Sequence, residues 1–248
     1  MIGRPRSRQR TAAGLTAGAL LLSQLVLPPQ AEASHLGSST ASAGSVPPPS
    51  VSAVQSFQPD LFTGRATTAV PLAVPPGRKG MQPALALSYS SSARNGWLGV
   101  GWGLEVGSIE RSTKDGVPQY TATDPLALGL GGVAHELIWT ASGMYRAKDE
   151  GLFLRIVFKG VSGWEVTDKS GTRYLFGQTP GARIDAGGRD FRWALDEVID
   201  PNGNSLTLTY AKDQGQLYPD RIEYAAHRAS GRTATQRVTF LLEGRPDA

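Results

Sequence analysis

The sequence predicts an all-β protein made of antiparallel, hairpin-rich sheets, packed as a sandwich or as the start of a β-shell, behind a signal peptide and a disordered linker. Three observations carry this. From Phe57 onward no 3.6-residue apolar period is sustained. Instead, short β-branched and aromatic runs recur about every 8–15 residues, as in an all-β chain. The runs are separated by Gly, Pro, Asn and Asp, the residues that make tight turns.

The first 33 residues read as a removable leader. Arg4, Arg6, Arg8 and Arg10 form a cationic head, Ala12 to Leu27 runs almost wholly apolar, and Ala31-Glu32-Ala33 supplies the small-x-small cleavage pattern, with cleavage expected near Ser34. The apolar run of about 16 residues falls short of the roughly 20 that cross hydrocarbon. Gly14, Thr16, Gly18 and Ser23 dilute it further, so no stable membrane span is expected in the mature chain. No two arginines are adjacent, which argues against a twin-arginine signal. The predicted destination is the periplasm, the cell surface or the outside.

Removing the leader takes away four of the 25 basic residues and one of the 21 acidic ones. The remainder is close to neutral and lacks the basic excess of a nucleic-acid binder. The chain has no cysteine, which excludes disulfides and thiolate metal sites. Residues 34–56 are rich in Ser, Ala, Gly and Pro, including Pro47-Pro48-Pro49, and bury too little to offset ordering entropy. They are expected to be a flexible linker, with His35 a bystander within it.

Residues 57–248 form the predicted β domain. Its candidate strands are Ala66–Val70, Ala84–Tyr89, Leu104–Arg111, His135–Thr140, Met144–Ala147, Leu152–Phe158, Trp164–Thr167, Arg173–Phe176, Phe191–Asp200, Ser205–Tyr210, Arg221–Tyr224 and Val238–Leu242. Turn chemistry bounds several of them: Lys114-Asp115-Gly116, Asp168-Lys169-Ser170-Gly171 and Asp200-Pro201-Asn202-Gly203-Asn204 each place a glycine where positive φ is wanted. Leu206 to Tyr210 alternates apolar and polar, which suggests one buried and one wetter face. Leu126–Leu130 is a short rival for helix, broken by Gly129, Gly131 and Gly132.

Pro71, Pro75, Pro76 and Pro83 deny amide donors and favour edge strands or extended crossings. After the tight turn at Asn95-Gly96, Gly99, Gly101 and Gly103 leave Trp97 and Trp102 beside a backbone open to close approach, which reads as a packing corner. A phosphate-binding loop would need the P-loop lysine and Ser/Thr, and Val106 stands where a third dinucleotide-fold glycine would have to be. Gly77, Gly96, Gly99, Gly101 and Gly203 are expected to resist a Cβ, with Asn95, Asp200, Asn202 and Asn204 shaping turns and Tyr89 and Trp102 buried.

No catalytic, cofactor or metal site is expected. His35, His135 and His227 lack metal-ligand spacing. No nucleophile elbow occurs, and a Ser-His-Asp triad could be assembled only arbitrarily. Asp185, Asp190, Asp196, Glu197 and Asp200 could hold a glycosidase-like carboxylate pair, although turns and solvated faces explain them as well. Asp200 to Asn204 could bind calcium weakly but lacks the 12-residue ligand loop.

The block Phe62-Thr63-Gly64-Arg65-Ala66, Val70-Pro71-Leu72, Val74-Pro75-Pro76-Gly77-Arg78, Pro83-Ala84-Leu85, Leu87-Ser88-Tyr89-Ser90-Ser91, Asn95-Gly96, Leu98-Gly99-Val100-Gly101-Trp102 and Ile109-Glu110-Arg111 resembles the opening of the SpvB-type domain. That domain begins the B components of insecticidal toxin complexes and the Salmonella virulence protein for which it is named. Asp168 to Thr172 before Tyr174, Trp193, Leu195, Asp200 to Asn204 before Tyr210, and Ile222 to Tyr224 extend the resemblance over roughly residues 57–248. The Asp-x-Asn-Gly-Asn piece alone would suggest only a YD/Rhs-like repeat.

The resemblance implies a non-catalytic scaffold or shell module, with toxicity such as ADP-ribosylation of actin in separate C-terminal material. It implies further β-shell or Rhs-like segments, or toxin subunits, as partners. Val238-Thr239-Phe240 followed by Arg245-Pro246-Asp247 resembles the middle of a family motif, so a C-terminally truncated domain is expected. Toxin-complex relatives do not generally use a plain leader, so export rests on residues 1–33. The alternative is a stand-alone surface- or glycan-binding module with Trp97, Trp102, Trp139, Trp164 or Trp193 as stacking platforms; exposed aromatics grouped on one face would favour it, and buried ones the scaffold.

Overall fold

A computed structural model describes residues 58–59, 64–149 and 151–244. The expected signal peptide, linker and His35 lie outside the described residues. Glycine and asparagine turns punctuate a chain of β-branched and aromatic runs, and the outcome is nearly all strand. In chain order the strands are β1 (Gln58–Pro59), β2 (Ala66–Leu72), β3 (Leu85–Ser90), β4 (Asn95–Gly96), β5 (Gly99–Val100), β6 (Trp102–Leu104), β7 (Ser108–Arg111), β8 (Leu126–Leu130) and β9 (Val133–Ala141). They continue with β10 (Met144–Ala147), β11 (Arg155–Phe158), β12 (Trp164–Thr167), β13 (Arg173–Phe176), β14 (Arg183–Ala186), β15 (Arg189–Ile199), β16 (Asn204–Asp213), β17 (Gln216–His227) and β18 (Gln236–Thr239). Single 3-10 turns occupy Gly160–Ser162 and Pro180–Ala182.

The antiparallel, hairpin-rich sheets expected from sequence are present, and the largest closes on itself. Strands β7 to β13 run as a meander, each paired with the next. Strand β13 then pairs with β15 from Arg173↔Ile199 to Phe176↔Leu195, and β15 pairs with β7 through Trp193↔Ile109. The result is an eight-stranded barrel, which removes the free edges an open sheet would expose. Strands β16, β17 and β18 continue outward from the C-terminal half of β15. A separate four-stranded sheet, in the order β1-β2-β3-β6, precedes the barrel.

Side chains fill the barrel. Ile109, Leu128, Ile156, Val166 and Phe176 are buried, and Trp164 sits among the rings of Phe158 at 4.7 Å, Tyr145 at 4.9 Å and Trp193 at 5.6 Å. Leu206, Leu208, Ile222 and Tyr224 extend the same core beneath the branch sheet, and Leu85 joins it from the four-stranded sheet. The fully buried Tyr224 fastens the branch sheet to the connection between β2 and β3 by donating its hydroxyl to Pro75 O at 2.9 Å.

Several strand expectations change: Leu152–Phe158 is strand only from Arg155, and Val238–Leu242 is displaced to Gln236–Thr239. Leu104–Arg111 is two strands: the chain leaves the small sheet after Leu104 and enters the barrel at Ser108. Gly107 turns there at φ +105°, its amide donating to Glu105 Oε1 at 3.1 Å. Leu126–Leu130 is strand β8, not a rival helix. Leu126 and Leu128 are buried with the residues between them less so, and Gly131-Gly132, both at positive φ, makes a two-residue hairpin turn into β9.

Candidate functional site

The glycine-tryptophan corner is built by two short hairpin strands. Asn95 pairs with Val100 and Gly96 with Gly99, after which β6 lies beside β3 with Trp102 opposite Tyr89. Gly101 stands at φ +81°, and a Cβ there would lie 2.5 Å from Tyr89 Cε2 and 2.9 Å from Ser90 O. Its bare backbone therefore seats the Tyr89 ring, which meets Trp102 at 5.3 Å with a 54° tilt. Tyr89 is half-buried; Trp102, expected to be buried, remains 36% exposed because β6 is the edge of its sheet.

The five structural glycines differ in physical role. A Cβ on Gly77 would collide with the Met81 carbonyl, and the Gly77 amide donates to Gln82 Oε1 at 2.8 Å. Gly99 has open space but φ +112°, whereas Gly96 has neither positive φ nor a contact closer than Trp102 O at 3.5 Å. Gly203 stands at φ +86° with His227 Nε2 3.3 Å from its Cβ position.

Asp200 closes the turn between β15 and β16. Its carboxylate accepts from the amides of Asn202 and Asn204, both at 2.8 Å, and from Asn204 Nδ2 at 2.7 Å. These oxygens are engaged by N–H donors of the turn itself. Asp168 repeats the arrangement between β12 and β13, accepting from Ser170 N at 2.8 Å and Thr172 N at 3.0 Å. The two turns touch, since a Cβ on Gly171 would lie 3.2 Å from Pro201 Cγ. For both carboxyls burial acts upward, but the hydrogen bonds outweigh it and hold them below the ordinary range. His227 joins the second turn: Asn202 O can only accept, so Nε2 carries the proton and donates at 2.8 Å, while Nδ1 accepts from Ser230 N at 3.1 Å.

Of the acidic residues, the register brings Asp185 and Asp190 opposite each other on β14 and β15, where their carboxylates go to separate partners. Asp196 is the extra residue of a β-bulge, between Glu197 opposite Leu175 and Leu195 opposite Phe176, and it and Glu197 have separate partners. Asp196 is buried, accepting from the Gln178 amide and from Thr179 Oγ1 at 3.0 Å; burial pushes its carboxyl above the ordinary range. Glu197 pairs with Arg228, Asp190 with Arg183 at 3.2 Å and Trp193 Nε1 at 3.2 Å, and Asp185 accepts from Gly188 N at 3.4 Å.

Two clusters escaped the sequence reading. Glu165, 9% exposed at its side chain, gathers Lys159 at 2.7 Å, Arg173 at 3.0 Å and Arg155 at 3.8 Å on the outer barrel wall. Burial would raise its carboxyl, yet the hydrogen bonds and charges of Lys159 and Arg173 hold it low. In the loop between β7 and β8, Asp124 accepts from Tyr120 N at 2.7 Å and from Thr121 Oγ1 at 3.0 Å and pairs with Arg111 at 3.0 Å. Arg111 also lies over the rings of Tyr120 and Trp193, at 5.3 Å and 5.8 Å. Thr121-x-x-Asp124 is a turn pattern visible in sequence; the Glu165 cluster depends on strand register and leaves no local signal.

Of the tryptophans, Trp164 and Trp193 are buried in the barrel. Trp97 is half-buried, edge-on to Tyr218 at 6.1 Å. Trp139 is 58% exposed on β9. Two cavities flank the corner. One of about 370 Å³ lies between Trp97, the Leu104–Gly107 crossover, Arg192, Tyr210 and Tyr218. The other, of about 450 Å³, is an open groove on the four-stranded sheet beside Tyr89 and Trp102.

Residues 60–241 match the family model described as the Salmonella virulence plasmid 65kDa B protein. The mono(ADP-ribosyl)transferase SpvB of Salmonella choleraesuis is 30% identical over 212 residues, covering 72% of this chain and 35% of the relative. The same-named protein of Salmonella enteritidis is 30% identical over 181 residues, or 61% of this chain and 30% of the relative. The chain thus spans about a third of the length of the curated relatives it matches. Among solved structures, TcdB2-TccC3 aligns with a TM-score of 0.59 at 26% identity, covering 69% of this chain and 10% of that one. The N-terminal domain of the effector SpvB from Salmonella typhimurium shares the fold at a TM-score of 0.58 and 24% identity, over 69% of this chain and 71% of that one.

Proposed function

The chain belongs to the Salmonella virulence plasmid 65kDa B protein family, and from that premise we propose that its β domain is a non-catalytic scaffold module of an exported virulence or insecticidal toxin-type protein. The observation that carries this is the placement of the match. The chain aligns with most of a solved SpvB N-terminal domain, yet with only about a third of the full-length transferases. The packing supports the same reading, because Trp164, Trp193 and Phe158 touch one another and Tyr145 touches Trp164, so the barrel interior is filled with side chains. Among the described residues β18 pairs on one side only, which offers an edge for further β segments. The leader pattern in residues 1–33 supports export.

The partners consistent with this reading are further shell segments or toxin subunits, the company that the aligned domain keeps in TcdB2-TccC3. The test is complementation in trans: the purified chain is mixed with a TcdB2-TccC3 shell whose matching segment has been deleted, and co-elution is scored. A stoichiometric complex is expected. Failure to associate, or transfer of labelled ADP-ribose from NAD to actin by this chain alone, would overturn the proposal.

A further inference from the structure

We infer that the outer wall of the barrel over β11, β12 and β13 is a docking surface for an acidic, extended segment of a protein partner. Arg155 opens β11, Lys159 follows that strand, Glu165 lies on β12 and Arg173 opens β13. The three cations gather on the one carboxylate, Lys159 at 2.7 Å, Arg173 at 3.0 Å and Arg155 at 3.8 Å. The Glu165 side chain is 9% exposed, whereas those of Arg155, Arg173 and Lys159 keep 63%, 46% and 44% of their surface in solvent. The acid is the floor of the cluster and the cations are its outer layer, so the face turned to solvent carries two positive charges that Glu165 does not balance.

Other ion pairs on the strands are one to one: Lys148 with Glu136, Arg228 with Glu197 and Arg237 with Glu223. Crowding like charges on neighbouring strands costs stability, and local conflicts of that kind are kept where a surface has work to do. The donors are not used up. Arg155 lies too far from Glu165 for a hydrogen bond, Arg173 gives it one of five N–H groups and Lys159 one of three. Register sets their spacing. Arg155, Thr167 and Arg173 pair in one row across the three strands, which places the two arginines two strand spacings, about 10 Å, apart.

Shape and charge together select the partner. These residues line neither of the two cavities, and small ions are held best in concave sites. An extended chain lies flat on a barrel wall, and carboxylates at its alternate positions, about 7 Å apart on one face, supply the two negative charges that neutralise the cluster. A nucleic acid calls for a longer basic stripe than three side chains.

The assignment deepens the scaffold reading, on which it rests for the partner's being a protein, and peptide binding can fail while shell co-elution succeeds, or the reverse. The test is NMR titration of the full chain with an eight-residue peptide of alternating Glu and Thr, following the Thr167 and Arg173 amides at about 50 mM salt, where screening is weak. Saturable shifts with a Kd of about 1 mM or tighter are expected, and the same peptide with Gln in place of Glu should not bind. Arg155→Gln and Arg173→Gln should each weaken binding severalfold, and Arg237→Gln, from a one-to-one pair, should leave it unchanged. Arg155→Gln removes no hydrogen bond to Glu165 and keeps the test valid if Arg173→Gln misfolds. No shift at about 10 mM peptide would overturn the assignment. So would equal binding of the Gln peptide, or binding lost equally with Arg237→Gln. Tripolyphosphate bound at these residues more tightly than the peptide would give the face to phosphate chemistry and overturn it as well.

Discussion

Replacing Gly101 with alanine tests whether the corner is held by one backbone position or shared among its glycines. Three costs add at this site. A left-handed φ of +81° costs an L-residue about 1–2 kcal/mol. The new Cβ, 2.5 Å from Tyr89 Cε2, forces the ring away from Trp102 and forfeits about 0.5–1.5 kcal/mol of aromatic contact. Displacing Ser90 O, 2.9 Å from the Cβ position, strains the adjoining Ser90 N–H bond to Gly101 O, worth about 0.5–1.5 kcal/mol. The sum is about 2–5 kcal/mol, well above the roughly 1 kcal/mol of an ordinary glycine replacement. The small sheet can open without the barrel, so the direct assay is amide hydrogen exchange at Ser90. A loss of 3 kcal/mol corresponds to about a hundredfold faster exchange. Gly96→Ala, at ordinary φ with 3.5 Å to its nearest contact, is the internal control and should change exchange by less than about fivefold. Equal effects at the two positions, or Ser90 protection unchanged in Gly101→Ala, would refute the reasoning.

Tyr224→Phe should cost about 0.5–1.5 kcal/mol, because it cuts the tie between the branch sheet and the connection between β2 and β3; urea denaturation followed by far-UV circular dichroism would show it, and an unchanged midpoint would contradict the role given to that bond. The paired turns predict an acid limb. The carboxyls of Asp168 and Asp200 are depressed below the ordinary aspartate range, so the stability they contribute is fully present above the unfolded value and is lost as pH falls through the folded one. Asp196 is raised and works in the opposite sense, withdrawing stability as pH rises through its folded value. Asp168→Asn with Asp200→Asn should therefore lower stability at neutral pH and flatten its decline below about pH 4 in urea midpoints measured across pH; a decline as steep as in the unmodified chain would count against the turns as its source.

How much was legible follows from how local each signal is. Met144–Ala147, Trp164–Thr167 and Arg173–Phe176 are found at the bounds expected, because each is a short β-branched or aromatic run between turn residues. Strand β8, whose sequence reads as a short rival for helix, and strand β14 each adjoin a two-glycine hairpin turn, Gly131-Gly132 and Gly187-Gly188, all four residues at positive φ. That pair is a hairpin signal in its own right, but Leu126–Leu130 is apolar throughout and Arg183–Ala186 carries only one large apolar residue, Ile184, so neither shows a strand-length alternation beside it. Barrel closure left no trace in the sequence, since it joins Ile109 to Trp193 and Tyr174 to Val198 across a non-local register. The exposure of Trp102 was hidden for the same reason, because nothing in Gly101-Trp102-Gly103 says that β6 is an edge.

Strand β15 explains why the largest sheet both closes and continues. Its eleven residues serve two sets of neighbours: Arg192–Ala194 pair with β7 while Arg183–Ala186 of β14 lie along the other edge, and Glu197–Ile199 pair with β16 while β13 takes the other edge. A strand with one wet face would alternate, but Trp193, Ala194, Leu195 and Asp196 are buried in succession. Both faces are therefore covered at this point, and a carboxylate caught there must find donors in the protein. Asp196 finds them in the Gln178 and Thr179 amides and the Thr179 hydroxyl, which fixes the segment following β13 over the strand. An acidic residue that sequence alone offered as half of a catalytic pair is thus accounted for by topology: it satisfies the polar backbone where the barrel and the branch sheet share one strand.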